Sequence, residues 1–181
     1  MLDIDEEIPD LELEAFHKGE IKKVNMSDYR GKWLVIIFYP ADFSFVCPTE
    51  LKEMADYYEK FKESDAEVMS VSTDTGYVHK AWHEENDLVN EVQYPMLADP
   101  TGMMSRKFGT YNEESGLSFR GTFIIDPDGK VQSKMIHCED IGRSAKEILR
   151  QLKAAKFVRE HEGKMCPASW EPGMETLDKE G

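Results

Sequence analysis

A single α/β domain with a mixed central sheet is the fold this sequence predicts, and three observations carry it. The run Trp33–Tyr39 (WLVIIFY) is apolar throughout and rich in β-branched and aromatic residues, the composition of a strand covered on both faces. Candidate strands and helices then alternate along the chain, the pattern of α/β layers. Lastly, Phe119–Met135 reads as a β-hairpin, which brings antiparallel pairing into a sheet otherwise built by crossovers. At 181 residues the chain is one domain by length, large enough for a sizeable core.

In order, residues 1–32 are strongly acidic at first, then mixed, with Gly19 in HKGE marking a hairpin and SDYRGK (27–32) a turn into the buried strand. Pro40 ends that strand. After Cys47 and Pro48, the residues Leu51, Met54, Tyr58 and Phe61 recur at helical spacing. Glu67–Thr73 has strand character, TDTG breaks it, and Tyr77–Glu85 forms a short helix. Tyr94–Leu97 is another short strand closed by ADPTG, and Met103–Phe108 a helix. The 119–135 hairpin turns at Pro127-Asp128-Gly129. Arg143–Phe157 is amphipathic, with Ile148, Leu149, Leu152 and Ala155 on one side. The tail, 160–181, has Pro and Gly around Cys166 and no periodicity, and reads as extended or mobile. Residues 1–159 are therefore taken as the domain and 160–181 as its tail.

A formal charge of −14 argues against nucleic acid and anionic membrane as partners. The start, MLDIDEEIPD, lacks the positive charge and apolar stretch of a signal peptide, and no apolar run reaches the ~18 residues of a membrane span. The expectation is a cytosolic protein. Three cysteines, Cys47, Cys138 and Cys166, are too few and too odd for a disulfide framework, and none is spaced CxxC. Cys47 stands out. It sits where a loop enters a helix, and Pro48 suits a first helical turn because it has no N–H to leave unpaired. The unpaired N–H groups there favour an anion, which is how a protein makes a reactive thiolate.

The segment FYPADFSFVCPTE (38–50) resembles the active-site segment of the typical two-cysteine peroxiredoxins, most closely their alkyl hydroperoxide reductase branch. The family pattern Pro-xxx-Thr/Ser-xx-Cys falls on Pro40, Ser44 and Cys47. FRGTFIIDPDG is similar to the segment of the family's active-site arginine, here Arg120, and GKMCPASW to that of the resolving cysteine, here Cys166. VSTDT (71–75), the Trp82 region and IGRSAKEILR (141–150) follow in the expected order, so the likeness runs from about residue 3 to 177. It implies a thioredoxin-like fold, which agrees with the alternation above. It also implies a thiol peroxidase for hydrogen peroxide and organic hydroperoxides, acting in antioxidant defence without cofactor or metal. Glu50 and Arg143 are expected to support Arg120, with Trp82 at the edge of the site.

The implied reaction begins with attack of the Cys47 thiolate on the peroxide, leaving a sulfenic acid. Cys166 of a partner subunit condenses with it to a disulfide, and an external dithiol reduces that disulfide. A flavoprotein disulfide reductase is the expected reductant, with thioredoxin as the alternative. The resemblance also implies a homodimer assembling into a decamer of five dimers. Ionisation alone does not make such a thiol fast. Lowering a thiol pKa from ~8.5 to ~6 raises the thiolate fraction at pH 7 roughly 30-fold. With a Brønsted slope of ~0.45, each thiolate becomes roughly 13-fold less nucleophilic. The net gain is ~2- to 3-fold. The rest must come from donors that bind the stretched O–O bond better than the intact one: Arg120, the Ser44 hydroxyl and the Cys47 N–H. Pro40 shields the site from water.

The chain departs from the family in places. Ser44 stands where many relatives have Thr, and Cys138 lies where none is needed. EESGLSF before Arg120 lacks a Gly-Gly-Leu-Gly insertion, and the chain stops at Gly181 without a Tyr-Phe ending. In the family those features slow resolution, so their absence implies a robust, bacterial-type enzyme. Cys138 reads as incidental. His79 and His83 in HKAWH share a helix face without a third metal ligand, and read as a surface helix. A binding or holdase protein using Cys47 only as a redox sensor is the competing class. A Cys–His hydrolase lacks a histidine in recognisable context.

Overall fold

In the computed structural model, which describes residues 1–179, a seven-stranded mixed sheet lies between two layers. The strands are β1 (Glu12–His17), β2 (Glu20–Asn25), β3 (Trp33–Phe38), β4 (Ala66–Ser72), β5 (Met96–Ala98), β6 (Arg120–Ile125) and β7 (Val131–His137), in the order β2-β1-β5-β4-β3-β6-β7. β3 pairs parallel with β4, and β4 with β5; every other pairing is antiparallel. The helices are α1 (Cys47–Asp56), α2 (Tyr58–Glu63), α3 (Gly76–Glu85), α4 (Met103–Phe108) and α5 (Ala145–Glu160).

β3 is central because its sequence suits no edge. All six of its residues are buried, and they alternate between two cores. Trp33, Val35 and Ile37 face one core, with Leu51, Met54, Phe61, Trp82, Ile148 and Leu152 from α1, α2, α3 and α5. Leu34, Ile36 and Phe38 face the other, with Met104 and Phe108 of α4 and with Leu2 and Ile8 of the N-terminal segment. The acidic N-terminus is thus part of the fold: Glu7 bridges to Lys130, and Val131 donates to the Glu6 carbonyl.

The first hairpin turns at Lys18-Gly19, both at positive φ, a backbone that Gly adopts without strain and that matches strand twist. The single helix read after Cys47 is two, α1 and α2, separated at Tyr57. The tail differs more. Residues 164–165 and 177–178 pair as β8 and β9, and the Trp170 ring, 2 % exposed, packs on Phe157 of α5 at 4.8 Å between centroids. Arg150 Nη1 donates to the Trp170 carbonyl at 3.1 Å. Periodicity cannot register this, because one buried aromatic docks the segment and a two-residue ladder only closes it on itself. Residues 180 and 181, where the sequence reading placed its chain end, lie outside the described residues.

Candidate active site

β3 delivers the chain to Pro40, and a loop carries it to Cys47 at the first position of α1, with Pro48 beside it. The cysteine is free and 0 % exposed. Its backbone N–H has no hydrogen-bond partner among the described residues. Arg120, the first residue of β6, reaches it from the neighbouring strand: Nη1 lies 3.3 Å from Sγ and donates to Glu50 Oε2 at 2.6 Å. Nε donates to the Glu139 carbonyl at 2.8 Å, so the guanidinium is fixed in plane from two sides. Its Nη2 has no partner among the described residues.

Glu50, one turn into α1, ties the site together. Arg143 donates to its Oε1 from the backbone N–H and from Nε, both at 2.8 Å, and to Oε2 from Nη2 at 3.0 Å. Arg143 Nη1 in turn reaches the Gly121 carbonyl at 2.8 Å, next to Arg120 in β6. Burial pushes the Glu50 carboxyl up, but the Arg143 hydrogen bonds and the two guanidinium charges outweigh it and leave it below the ordinary carboxylate range. Arg120 is held above its usual value: burial opposes its charge, and Glu50 and Cys47 more than restore it. Two guanidiniums against one carboxylate leave one positive charge uncompensated, with all three side chains nearly inaccessible. An anion at Sγ neutralises it.

Ser44 is half-buried in the loop and donates its hydroxyl proton to the Ala41 carbonyl at 2.8 Å. A carbonyl only accepts, so Ser44 has lone pairs to offer a substrate, not the proton expected from the sequence. Pro40 is buried at the strand end. Trp82 is wholly buried, its ring 6.1 Å from those of Tyr39 and of the loop residue Phe43. Cys166 lies elsewhere in the chain, in a cleft of about 600 Å³ with Arg150, Ala154 and Arg159 of α5. Its Sγ is 3.8 Å from the Ala154 carbonyl, and burial raises the thiol above its ordinary value against the opposing Arg150 charge. Cys138 is exposed beside Glu139.

The sequence reading missed one cluster. His79 is not on a surface face: it is 0 % exposed, with Nδ1 2.7 Å from Asp42 Oδ2 and Nε2 3.0 Å from the Leu97 carbonyl. The four-residue spacing of HKAWH suggested a shared face, but only the fold shows that β5 and the cysteine loop cover one end of it.

The fold and this site define a class, a thiol-dependent peroxidase of the peroxiredoxin type. The chain belongs to the AhpC/TSA family, which it matches over residues 4–134. It is 51 % identical over 160 residues to an alkyl hydroperoxide reductase C of Staphylococcus haemolyticus, covering 88 % of this chain and 85 % of that one. With the Bacillus subtilis protein of that name the identity is 48 % over 174 residues, 96 % and 93 % of the two chains. Among solved structures, Enterococcus faecalis AhpC superposes with a TM-score of 0.90 at 47 % identity, over 92 % of this chain and 100 % of that one. The reduced 2-Cys peroxiredoxin of Plasmodium vivax also gives 0.90, at 31 % identity, over 96 % and 91 %. Among the described residues no helix is long and apolar enough to cross a membrane.

Proposed function

We propose that Cys47 is the peroxide-reducing thiol and that Arg120, Ser44 and the Cys47 N–H bind the breaking bond. The observation that carries this is the 3.3 Å contact between Arg120 Nη1 and Sγ, inside a buried cluster one negative charge short of neutral. Sγ attacks one peroxide oxygen, the S–O bond forms and the O–O bond breaks, and the departing oxygen leaves as water or alcohol once protonated. Nη2 of Arg120 and the Cys47 N–H, both without partners among the described residues, are the donors that meet negative charge growing on the oxygens. Ser44 accepts the peroxide proton on its free lone pairs and so orients the substrate. Pro40 keeps water from the sulfur. Glu50 and Arg143 are positioning residues for Arg120, and Trp82 backs the loop through Phe43.

The sulfenic acid at Cys47 then condenses with Cys166 of a partner subunit, releasing water, and an external dithiol reduces the disulfide. Cys47 is buried, so the first turn of α1 must open for this step. The tail 160–181 is the segment that brings Cys166 to it. A homodimer, assembling into a decamer of five dimers, accords with exposed apolar rings on the cysteine loop and on α3: Phe45 at 95 %, Phe43 at 55 % and Tyr77 at 75 %. A flavoprotein disulfide reductase fits the likeness to the alkyl hydroperoxide reductases, with thioredoxin second. A reducing, cytoplasmic setting suits free cysteines that must be cycled.

Peroxide consumption with a supplied dithiol tests the assignment. Cys47→Ser is expected to abolish it, and Cys166→Ser, given peroxide with no dithiol present, to complete one turnover and stop at the sulfenic acid. A Cys47→Ser protein that consumed hydrogen peroxide at the unmodified rate would end the assignment.

A further inference from the structure

The loop over Cys47 is pinned by groups that the peroxidase reaction does not use. Asp42 lies between Pro40 and Ser44, and its side chain, like that of His79, is 0 % exposed. Tyr39 Oη donates to Asp42 Oδ1 at 2.6 Å. The Asp42 N–H donates to Asp74 Oδ2 at 2.9 Å, and Ser72 Oγ donates to the same oxygen at 2.7 Å. The next residue, Phe43, has φ +54, a left-handed backbone that a bulky side chain adopts only when held. Asp42 holds it on one side and the Trp82 ring on the other.

Proton counting gives this cluster a particular property. A backbone carbonyl only accepts, so the 3.0 Å contact with Leu97 places a proton on His79 Nε2. The 2.7 Å contact between His79 Nδ1 and Asp42 Oδ2 then requires one further proton between them, as imidazolium and carboxylate or as imidazole and carboxylic acid. Without it, two bare lone pairs face each other in a site that water does not reach. The other polar groups facing the pair are Tyr39, just past the end of β3, whose Oη also lies 3.4 Å from His79 Nδ1, Ser72 and Asp74 from the end of β4 and the connection that follows, and the Leu97 carbonyl from β5. Asp74 is the charged one among them, and its negative charge favours keeping the proton. Burial also holds the Asp42 carboxyl above its ordinary value, against the opposing pull of His79.

We propose that Asp42 and His79 are positioning residues for peroxide reduction, and that their shared proton holds the Pro40–Val46 loop, with Pro40 and Ser44, in its reactive form over Cys47. Deprotonation of the pair releases the loop, so the peroxide rate falls on the alkaline side. This rests on Cys47 as the reacting thiol.

The test is stopped-flow reaction of the reduced full-length protein with hydrogen peroxide across pH, with alkylation of Cys47 by iodoacetamide followed at each pH to report its ionisation. The peroxide rate of the unmodified protein is expected to fall at alkaline pH while alkylation stays at its plateau. His79→Leu should lose about 10- to 100-fold at every pH, the scale of a reacting group misplaced by about 1 Å. His79→Asn keeps an N–H aimed at Asp42 and cannot titrate. It should recover most of that loss and show no alkaline fall. Asp42→Asn, which carries the neutral pair's hydrogen bond permanently, should likewise lose the alkaline fall, and Trp82 fluorescence in both should stop changing with pH. A peroxide rate that tracks alkylation throughout overturns the proposal, as does an alkaline fall that survives in Asp42→Asn or a Leu variant as fast as the Asn variant. Those results leave Cys47 in place, whereas an active Cys47→Ser protein removes the catalytic assignment itself.

Discussion

Four hydrogen bonds converge on the two oxygens of Glu50, three from Arg143 and one from Arg120. The carboxylate therefore acts as a clamp: it sets where Arg120 points, and Arg120 meets the sulfur. Lysine at 120 keeps a charge but cannot reach Sγ, Glu50 and the Glu139 carbonyl together, because it lacks the planar fork. Arg120→Lys is expected to cost about 100-fold or more in the single-turnover rate with peroxide, measured where alkylation shows Cys47 fully ionised. Glu50 also has a pH signature. Its folded carboxyl lies below the ordinary range, so its contribution to stability is complete above the unfolded value and is lost as pH falls through the folded one. Glu50→Gln should destabilise by about 3–5 kcal/mol at neutral pH. Urea midpoints for the two proteins should converge as the solution is acidified below the usual carboxylate range, and a gap independent of pH would contradict the clamp.

At the scale of elements, β6 brings Arg120 to Cys47, and Gly121 lets it lie where it does. A methyl group there would collide with Thr110 Cγ2 and crowd Phe123. Gly121→Ala should therefore shift the start of β6, carrying Arg120 and the carbonyl that anchors Arg143, and lower the peroxide rate at unchanged Cys47 alkylation. The tail is held on α5 by the Trp170 ring against Phe157 and by Arg150 on the Trp170 carbonyl. Trp170→Ala should free residues 164–179, seen as faster cleavage there in limited proteolysis with little change in the melting of the sheet. These elements were unequally legible in the sequence. β3, the 127–129 turn and α4 follow from local residue types, since each depends on its own composition. The tail's docking depends on Trp170 meeting Phe157 across a turn, and the burial of His79 on a carbonyl 18 residues away, so no local pattern carries either.

For the whole molecule, the site is assembled from β3, α1, β6 and the segment leading into α5, which only the sheet order brings together. Residue types near Cys47 indicated a reactive thiolate, and a family pattern singled out Arg120, Glu50 and Arg143. The direction of the Ser44 hydroxyl and the Asp42–His79 pair depend on atomic geometry and were not legible. Cys47 and Cys166 occupy different parts of the one chain, so the pairing of subunits has its own check. One equivalent of peroxide should give a dimer-sized band on non-reducing electrophoresis, absent in Cys166→Ser, and a band only at monomer size would refute the intersubunit disulfide. The most direct measurement for the central claim is the single-turnover rate of the reduced Cys166→Ser protein with hydrogen peroxide, with and without Arg120→Lys, at matched thiolate content. A fall of about 100-fold or more with Lys at position 120 is the predicted result; equal rates would show that no donor at the sulfur assists the O–O bond.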